Sequence, residues 1–223
     1  MGWRQSLKEA FQPYQAPSTL EPAAFGDPVA LKTQWGPLRS GGSNFRTSGL
    51  VERSPERLEF RPSIQMSLFA GVFILLPLLF AVVFYFVPPD SGPFPRYAFI
   101  PAAMFSLIGV VLLVASRRPI VFDQVSGFFY RQWKPPRHFE PETMRNAALL
   151  RDIHALQIVQ EHVRGKSSFL SYELNLVLRN GDRLNVLDHG ALEALRGDAA
   201  RLGRWLGRPV WDSTNVPTTA AKP

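Results

Sequence analysis

Two long apolar segments constrain the fold of this chain more than any other feature of its sequence. Residues 64–87 form an uncharged run of 24 positions, and residues 97–116 form a second uncharged run. A helix of that first length spans roughly 36 Å, which exceeds the hydrocarbon layer of about 30 Å. The sequence therefore predicts a membrane α-helical hairpin with helices over 63–87 and 97–116.

The link between the two segments is too short to do more than reverse the chain, so the helices should be antiparallel neighbours. Small residues recur along both segments at helical spacing and allow helix backbones to approach closely. They are Ser67 and Gly71 in the first segment, and Ala102, Ser106 and Gly109 in the second. This pattern predicts packing within the hairpin, with self-association into a homo-oligomer as the alternative.

Basic residues flank the hairpin on one side. They are Arg53, Arg57 and Arg61 before the first segment, and Arg117 and Arg118 after the second. The link offers only Arg96. By the positive-inside rule both termini are expected on the cytoplasmic side of a bacterial inner membrane. No cleavable signal peptide is expected, because the first 50 residues contain no long apolar run.

The pattern after residue 116 changes to short alternating segments, which predict strands over 120–122, 127–130, 153–159, 172–178 and 184–187. Asn180 and Gly181 predict a type I′ turn. A strand near Leu58 is a candidate to join this sheet across the hairpin. An amphipathic helix is predicted from Leu192 onward, capped by Asp188 and ended near Gly207.

These elements predict a soluble α+β domain with a small antiparallel sheet or half-barrel and a C-terminal amphipathic helix. The expected organisation is an N-terminal Pro/Gly-rich segment (1–62), the transmembrane hairpin (63–116), a cytoplasmic domain (117–212) and a polar tail (213–223).

Chemistry-bearing motifs are sparse in this chain. The absence of cysteine excludes disulfides, thiolate metal sites and cysteine nucleophiles. The histidines are His138, His154, His162 and His189, and no two of them have metal-ligand spacing. Asp188 and His189 are the only candidates for a hydrolase. We expect no metal, no cofactor and no enzymatic activity, and uncharged spans argue against a transporter acting alone.

Basic and aromatic residues are mixed where the chain leaves the membrane. The candidates for contact with anionic lipid are Arg117, Arg118, Arg131, Lys134 and Arg137. The competing interpretation is that Arg117 and Arg118 only stop translocation and that the others lie on a solvated strand face. Nucleic acid is not an expected partner, because residues 117–223 carry 16 Lys/Arg against 11 Asp/Glu and no recognised motif.

Two sequence runs carry a resemblance to known proteins. The hairpin followed by IVFD at 120–123, GFFYR at 127–131 and a final helix resembles bacterial membrane-anchored proteins with a pleckstrin-homology-like (PH-like) domain. The photosystem I assembly factors with two transmembrane helices have a similar order of elements. The run WGPLRSGGSNFRT at 35–47 is similar to a group of uncharacterised bacterial membrane proteins with two transmembrane helices. The resemblance implies a PH-like cytoplasmic domain and brings no activity.

The function that these patterns favour is a non-enzymatic membrane-anchored adaptor or assembly factor. Its cytoplasmic domain would bind a protein partner or anionic lipid. The alternative is an accessory subunit of a larger membrane enzyme or transporter, with the hairpin making the main contact.

Overall fold

The computed structural model describes residues 21–39, 41–86, 99–136, 146–163 and 168–214. Its helices are α1 (Pro28–Lys32), α2 (Ile64–Tyr85), α3 (Phe99–Ser116) and α4 (Leu192–Leu206). Its strands are β1 (Ser48–Ser54), β2 (Arg57–Pro62), β3 (Ile120–Asp123), β4 (Phe128–Tyr130), β5 (Ala147–Leu149), β6 (Ile153–Val163), β7 (Phe169–Leu178), β8 (Arg183–His189) and β9 (Val210–Asp212). The protein is thus a mixed α+β structure with a helical hairpin inserted between β2 and β3.

Helices α2 and α3 are long and apolar enough to cross a membrane, and most of their side chains are exposed. Helix α2 begins where the Ser63 hydroxyl accepts a hydrogen bond from the Met66 amide at 3.0 Å. The strands that enter and leave the hairpin are paired, with Phe60 opposite Ile120. The two flanks of the hairpin therefore emerge on the same side.

The contact between α2 and α3 depends on small residues of α3. A Cβ atom on Gly109 would lie 2.6 Å from Cγ1 of Ile74 and 2.9 Å from the carbonyl oxygen of Ala70, so the backbones approach too closely for a side chain. Ala102 is also buried, and the Ser106 hydroxyl donates to the Ile74 carbonyl at 3.3 Å. The small-residue prediction is confirmed for α3.

In α2 the buried small residues are Ala70 and Ala81 instead of the predicted pair. A Cβ atom on Gly71 would meet nothing within 4 Å, and the Ser67 hydroxyl donates to the Ser63 carbonyl of its own helix. The prediction for Gly71 is wrong because a shift of one position rotates a residue by about 100° around a helix.

The strands form two sheets. The first has the order β1-β2-β3-β4-β5 and is antiparallel throughout. Leu58 pairs with Phe122, which confirms that the strand before the hairpin joins the sheet after it. The second sheet has the order β8-β7-β6-β9, and β9 runs parallel to β6. A single small antiparallel sheet was therefore too simple a prediction, and the described strands do not close into a barrel.

The main core lies between the two sheets and α4. Phe122 from the first sheet, Leu174 from the second and Leu195 from α4 are each 0% exposed. The Phe122 ring contacts Phe60 and Phe129, with centroid distances of 6.4 and 4.9 Å. The amphipathic helix predicted from residue 192 is confirmed, and it ends at Gly207, whose φ is 64°.

The β7–β8 hairpin is confirmed, but its turn is not type I′. Gly181 has a φ of 92°, whereas none of the described residues other than glycine has a positive φ, which excludes the type I′ turn at Asn180. The predicted cap of α4 is also wrong. The N-cap is Ala191, and its amide donates to Nδ1 of His189 at 3.2 Å, so Asp188 is not a helix cap.

Residues 21–39 and 41–44, here called the N-terminal strap, cover the outer face of the second sheet. The Glu173 carboxylate accepts a hydrogen bond from the Leu38 amide at 2.8 Å, and Glu161 accepts one from the Gly41 amide at 3.0 Å. The strap thereby carries the residues around 39 across the sheet to the base of the hairpin.

Candidate functional site: a cleft between the hairpin and the two sheets

A cavity of about 360 Å³ lies where the hairpin meets the two sheets, and we call it the junction cleft. Met66 from the first turn of α2 and Leu112 and Ala115 from the last turns of α3 form its apolar wall. Phe60 and Ile120, from the paired strands below, line it as well. The apolar wall thus belongs to the part of the hairpin nearest to the polar domain.

Three arginines line the same cleft from three different segments. Arg39 comes from the strap, Arg118 follows α3 and Arg131 follows β4. Among the described residues no carboxylate oxygen lies within 4.0 Å of any of these three guanidinium groups. The cleft therefore combines an apolar wall with positive charge that the described part of the chain does not neutralise by ion pairing.

Arg131 is held in position by neutral acceptors. Its Nη1 donates to the backbone oxygen and to Oδ1 of Asn185, both at 3.1 Å. Burial lowers the pKa of Arg131, the charge of Arg39 lowers it further, and Asp188 acts in the opposite direction. An arginine in these surroundings remains charged, and it is incompletely solvated.

Asp188 contributes a carboxylate to the wall of the cleft. Asn185 Nδ2 donates to Oδ1 of Asp188 at 2.8 Å and also to Oε1 of Glu173 at 3.0 Å. Burial raises the pKa of Asp188 to about 6, against the opposing effects of Asn185 and Arg131. The Asn185 amide therefore connects the arginine and both carboxylates in one network.

A second group of arginines has the opposite arrangement. Arg61, Arg57 and Arg53 approach the Glu59 carboxylate at 2.6, 2.8 and 3.4 Å. Burial acts to raise the pKa of Glu59, but the charges and hydrogen bonds of Arg61 and Arg57 outweigh burial and lower it. These three arginines, which flank the hairpin in the sequence, thus share one buried counter-ion.

The predicted lipid-contact residues divide between the cleft and the open surface. Arg118 and Arg131 line the cleft, whereas Arg117 and Lys134 are exposed and do not line it. Arg137 lies outside the described residues. Arg39 was not among the predicted residues, because only the path of the strap brings it to this place.

The described structure does not bring together the other candidates from the sequence, which were a hydrolase pair at Asp188 and His189 and a histidine metal site. Asp188 and His189 are consecutive in β8 and point to opposite faces of the sheet. His189 is 0% exposed, and burial lowers its pKa to about 4, so it is neutral near pH 7. Within the described ranges no group of three His, Cys, Asp or Glu side chains is placed to hold a metal ion. The prediction that the protein is not an enzyme stays a prediction.

A larger hollow of about 450 Å³ lies beside the β7–β8 turn. Its Arg183 already donates to the Gly36 carbonyl at 2.7 Å and to Oε1 of Gln157 at 3.0 Å. This arginine fastens the strap to the sheet. We therefore regard the junction cleft, whose arginines have no carboxylate partner in the described part of the chain, as the candidate site despite its smaller volume.

Comparison with known proteins gives no assignment. No protein-family model matches the chain, and no curated protein matches its sequence.

Proposed function

We propose that this protein is a non-enzymatic, membrane-anchored adaptor whose cytoplasmic domain binds an anionic lipid in the junction cleft. The observation that carries the proposal is the position of Arg39, Arg118 and Arg131 at the base of the apolar hairpin, without carboxylate partners among the described residues. The proposal includes insertion in a bacterial inner membrane with both termini cytoplasmic.

The two walls of the cleft suit the two parts of a lipid. Guanidinium groups bind phosphate oxygens through paired hydrogen bonds, and each basic group near an anionic surface contributes on the order of 1 kcal/mol. The apolar side chains of Met66 and Leu112 offer a surface for the start of an acyl chain. A soluble anion would contact only the guanidinium groups and would leave the apolar wall unused.

The arrangement of two sheets followed by α4 supports a PH-like domain as the scaffold. In this proposal the bound lipid fixes the domain against the membrane surface. The exposed outer surfaces then become available to a protein partner in a defined orientation, which is the adaptor role.

The test compares two adjacent arginines. Arg118 lines the cleft and Arg117 does not, while both are exposed and both carry one charge. Full-length protein in detergent would be titrated with phosphatidylglycerol and followed by native mass spectrometry. We expect R118Q to weaken lipid binding about fivefold and R39Q with R118Q about 25-fold, from about 1 kcal/mol for each group.

The variant R117Q is the matched control and should bind like the wild type. Equal losses in R117Q and R118Q would mean that the basic flank acts only through its total charge, and the cleft would be rejected as the site. No binding above that of phosphatidylcholine would reject lipid binding altogether. Retention of a large membrane complex by the hairpin alone would then favour the accessory-subunit alternative.

A further inference from the structure

We infer that the junction cleft selects an anionic phosphodiester headgroup that also carries a hydroxyl donor, and that the Asp188 carboxylate accepts this donor. The inference rests on the proposed lipid binding, because it assigns the headgroup class to the same site.

One oxygen of Asp188 is available for a ligand. Its Oδ1 accepts from Asn185, whereas Oδ2 has no hydrogen-bond partner among the described residues. The neighbouring Glu173 differs, because its oxygens accept from Asn185 and from the Leu38 amide. Asp188 is therefore the carboxylate of this network with an acceptor to offer toward the cleft.

The charges around Asp188 define what the ligand must carry. Arg131 follows β4, Arg39 lies in the strap and Arg118 follows α3, so three cations face the cleft together with one carboxylate. Glu173 on β7 lies opposite Asp188 in the strand pairing and is joined to it through Asn185. The excess of positive charge favours an anionic ligand.

The Asp188 carboxylate further restricts which anionic headgroup suits the cleft. An ionised carboxylate repels phosphate oxygens and accepts hydrogen bonds from hydroxyl groups, so a headgroup built only of acceptors leaves Oδ2 of Asp188 without a partner. A phosphodiester to glycerol places hydroxyl donors beyond a phosphate that carries a single negative charge. Phosphatidylglycerol is the simplest lipid of this class, and phosphatidylmethanol has the same charge without the hydroxyl groups.

The experiment offers both lipids together to the purified full-length protein. Native mass spectrometry near pH 7.5 would measure the ratio of bound phosphatidylglycerol to bound phosphatidylmethanol. We expect a preference of about tenfold for phosphatidylglycerol, which is typical of one hydrogen bond to a charged group. The isosteric variant D188N, which keeps an acceptor oxygen for Asn185, should bring the ratio close to one.

Two further measurements test whether the preference for phosphatidylglycerol depends on Asp188 itself. They distinguish this from an effect on folding or from the loss of any one negative charge. The variant E193Q removes a carboxylate from α4 that is 82% exposed on its side chain, and it should keep the wild-type preference. Lowering the pH to about 5 protonates Asp188, whose pKa is about 6, and should reduce the wild-type preference as the substitution does.

The outcomes distinguish this inference from the proposed function. Equal binding of both lipids by the wild type and by D188N, with the loss in R118Q retained, would overturn the role of Asp188 alone. Binding of neither lipid above phosphatidylcholine would overturn the proposed function. A tenfold preference that persists in D188N would assign the selection to another group and reject Asp188.

Discussion

The two arginine clusters of this protein use the same side chain in opposite ways. Around Glu59, three arginines share one carboxylate that is only 4% exposed. In the junction cleft, Arg39, Arg118 and Arg131 have no carboxylate within ion-pairing distance among the described residues, and the nearby Asp188 has a raised pKa.

In the function proposed above, this difference separates a structural cluster from a binding cluster. Around the ionised Glu59, each arginine has a carboxylate within ion-pairing distance, and these ion pairs stabilise the fold. Where the arginines lack a carboxylate partner, the protein gains no ion-pair energy, and the positive charge remains available for an anion. Residue type alone does not distinguish these roles.

The largest expected effect is on the stabilising cluster. The substitution E59Q removes the shared counter-ion, and we expect the free energy of unfolding to fall by about 3 kcal/mol near neutral pH. Thermal unfolding of the full-length protein in detergent would measure the loss. The control is E52Q, which breaks the exposed pair with Arg201 and should cost less than about 1 kcal/mol.

This loss should depend on pH with a definite sign. Because the pKa of Glu59 is lowered from 4.5, its contribution is complete above about pH 4.5 and disappears as the pH falls through the lowered folded-state value. The wild type and E59Q should therefore converge in acid. A difference that stayed constant down to about pH 3 would contradict the ion-pair explanation.

The second effect should have the opposite direction. The pKa of Asp188 is raised from 3.8 to about 6, so folding favours its protonated form and the ionised carboxylate costs stability above that value. We expect D188N to raise the free energy of unfolding by about 2 kcal/mol near pH 7.5, with the gain shrinking as the pH falls toward 3.8. If D188N were less stable than the wild type both near pH 7.5 and near pH 3.8, Asp188 would stabilise the fold, and this would contradict a role in ligand binding.

The smallest expected effect on stability comes from replacing one arginine in each cluster. The substitution R61Q removes a 2.6 Å contact with Glu59 and should cost about 1 kcal/mol. The substitution R118Q removes no ion pair within the described structure and should leave the melting temperature unchanged within about 1 °C. Equal destabilisation by both substitutions would remove the distinction between the clusters.

Features with a strong local period were predictable from the sequence. The hairpin and α4 follow from runs and repeats of apolar residues, and the β7–β8 hairpin follows from alternation around Asn180 and Gly181. Strands β5 and β9 were missed because each has three residues and is stabilised by pairing with a strand distant in sequence. Such pairing leaves no periodic signal.

The candidate site was predictable only in part. Arg118 and Arg131 were predicted as lipid-contact residues because they follow the second span closely, together with aromatic residues. Arg39 carried no such signal, and Asp188 was interpreted as a helix cap because it precedes an amphipathic helix. In the structure, the Ala191 amide instead donates to the preceding histidine ring, which leaves Asp188 free to face the cleft network.

The sequence by itself determined that this chain has two helices able to cross a membrane and a patterned α+β domain, because burial along a helix or strand depends on local spacing. Only the tertiary structure decided which arginines come together without a carboxylate partner among the described residues. The ion pairs around Glu59 are local in sequence, whereas the cleft arginines are brought together by strand pairing and by the strap. Arg61 meets Glu59 two residues away along one strand face, whereas Arg39, Arg118 and Arg131 meet only after the two sheets and the hairpin are assembled.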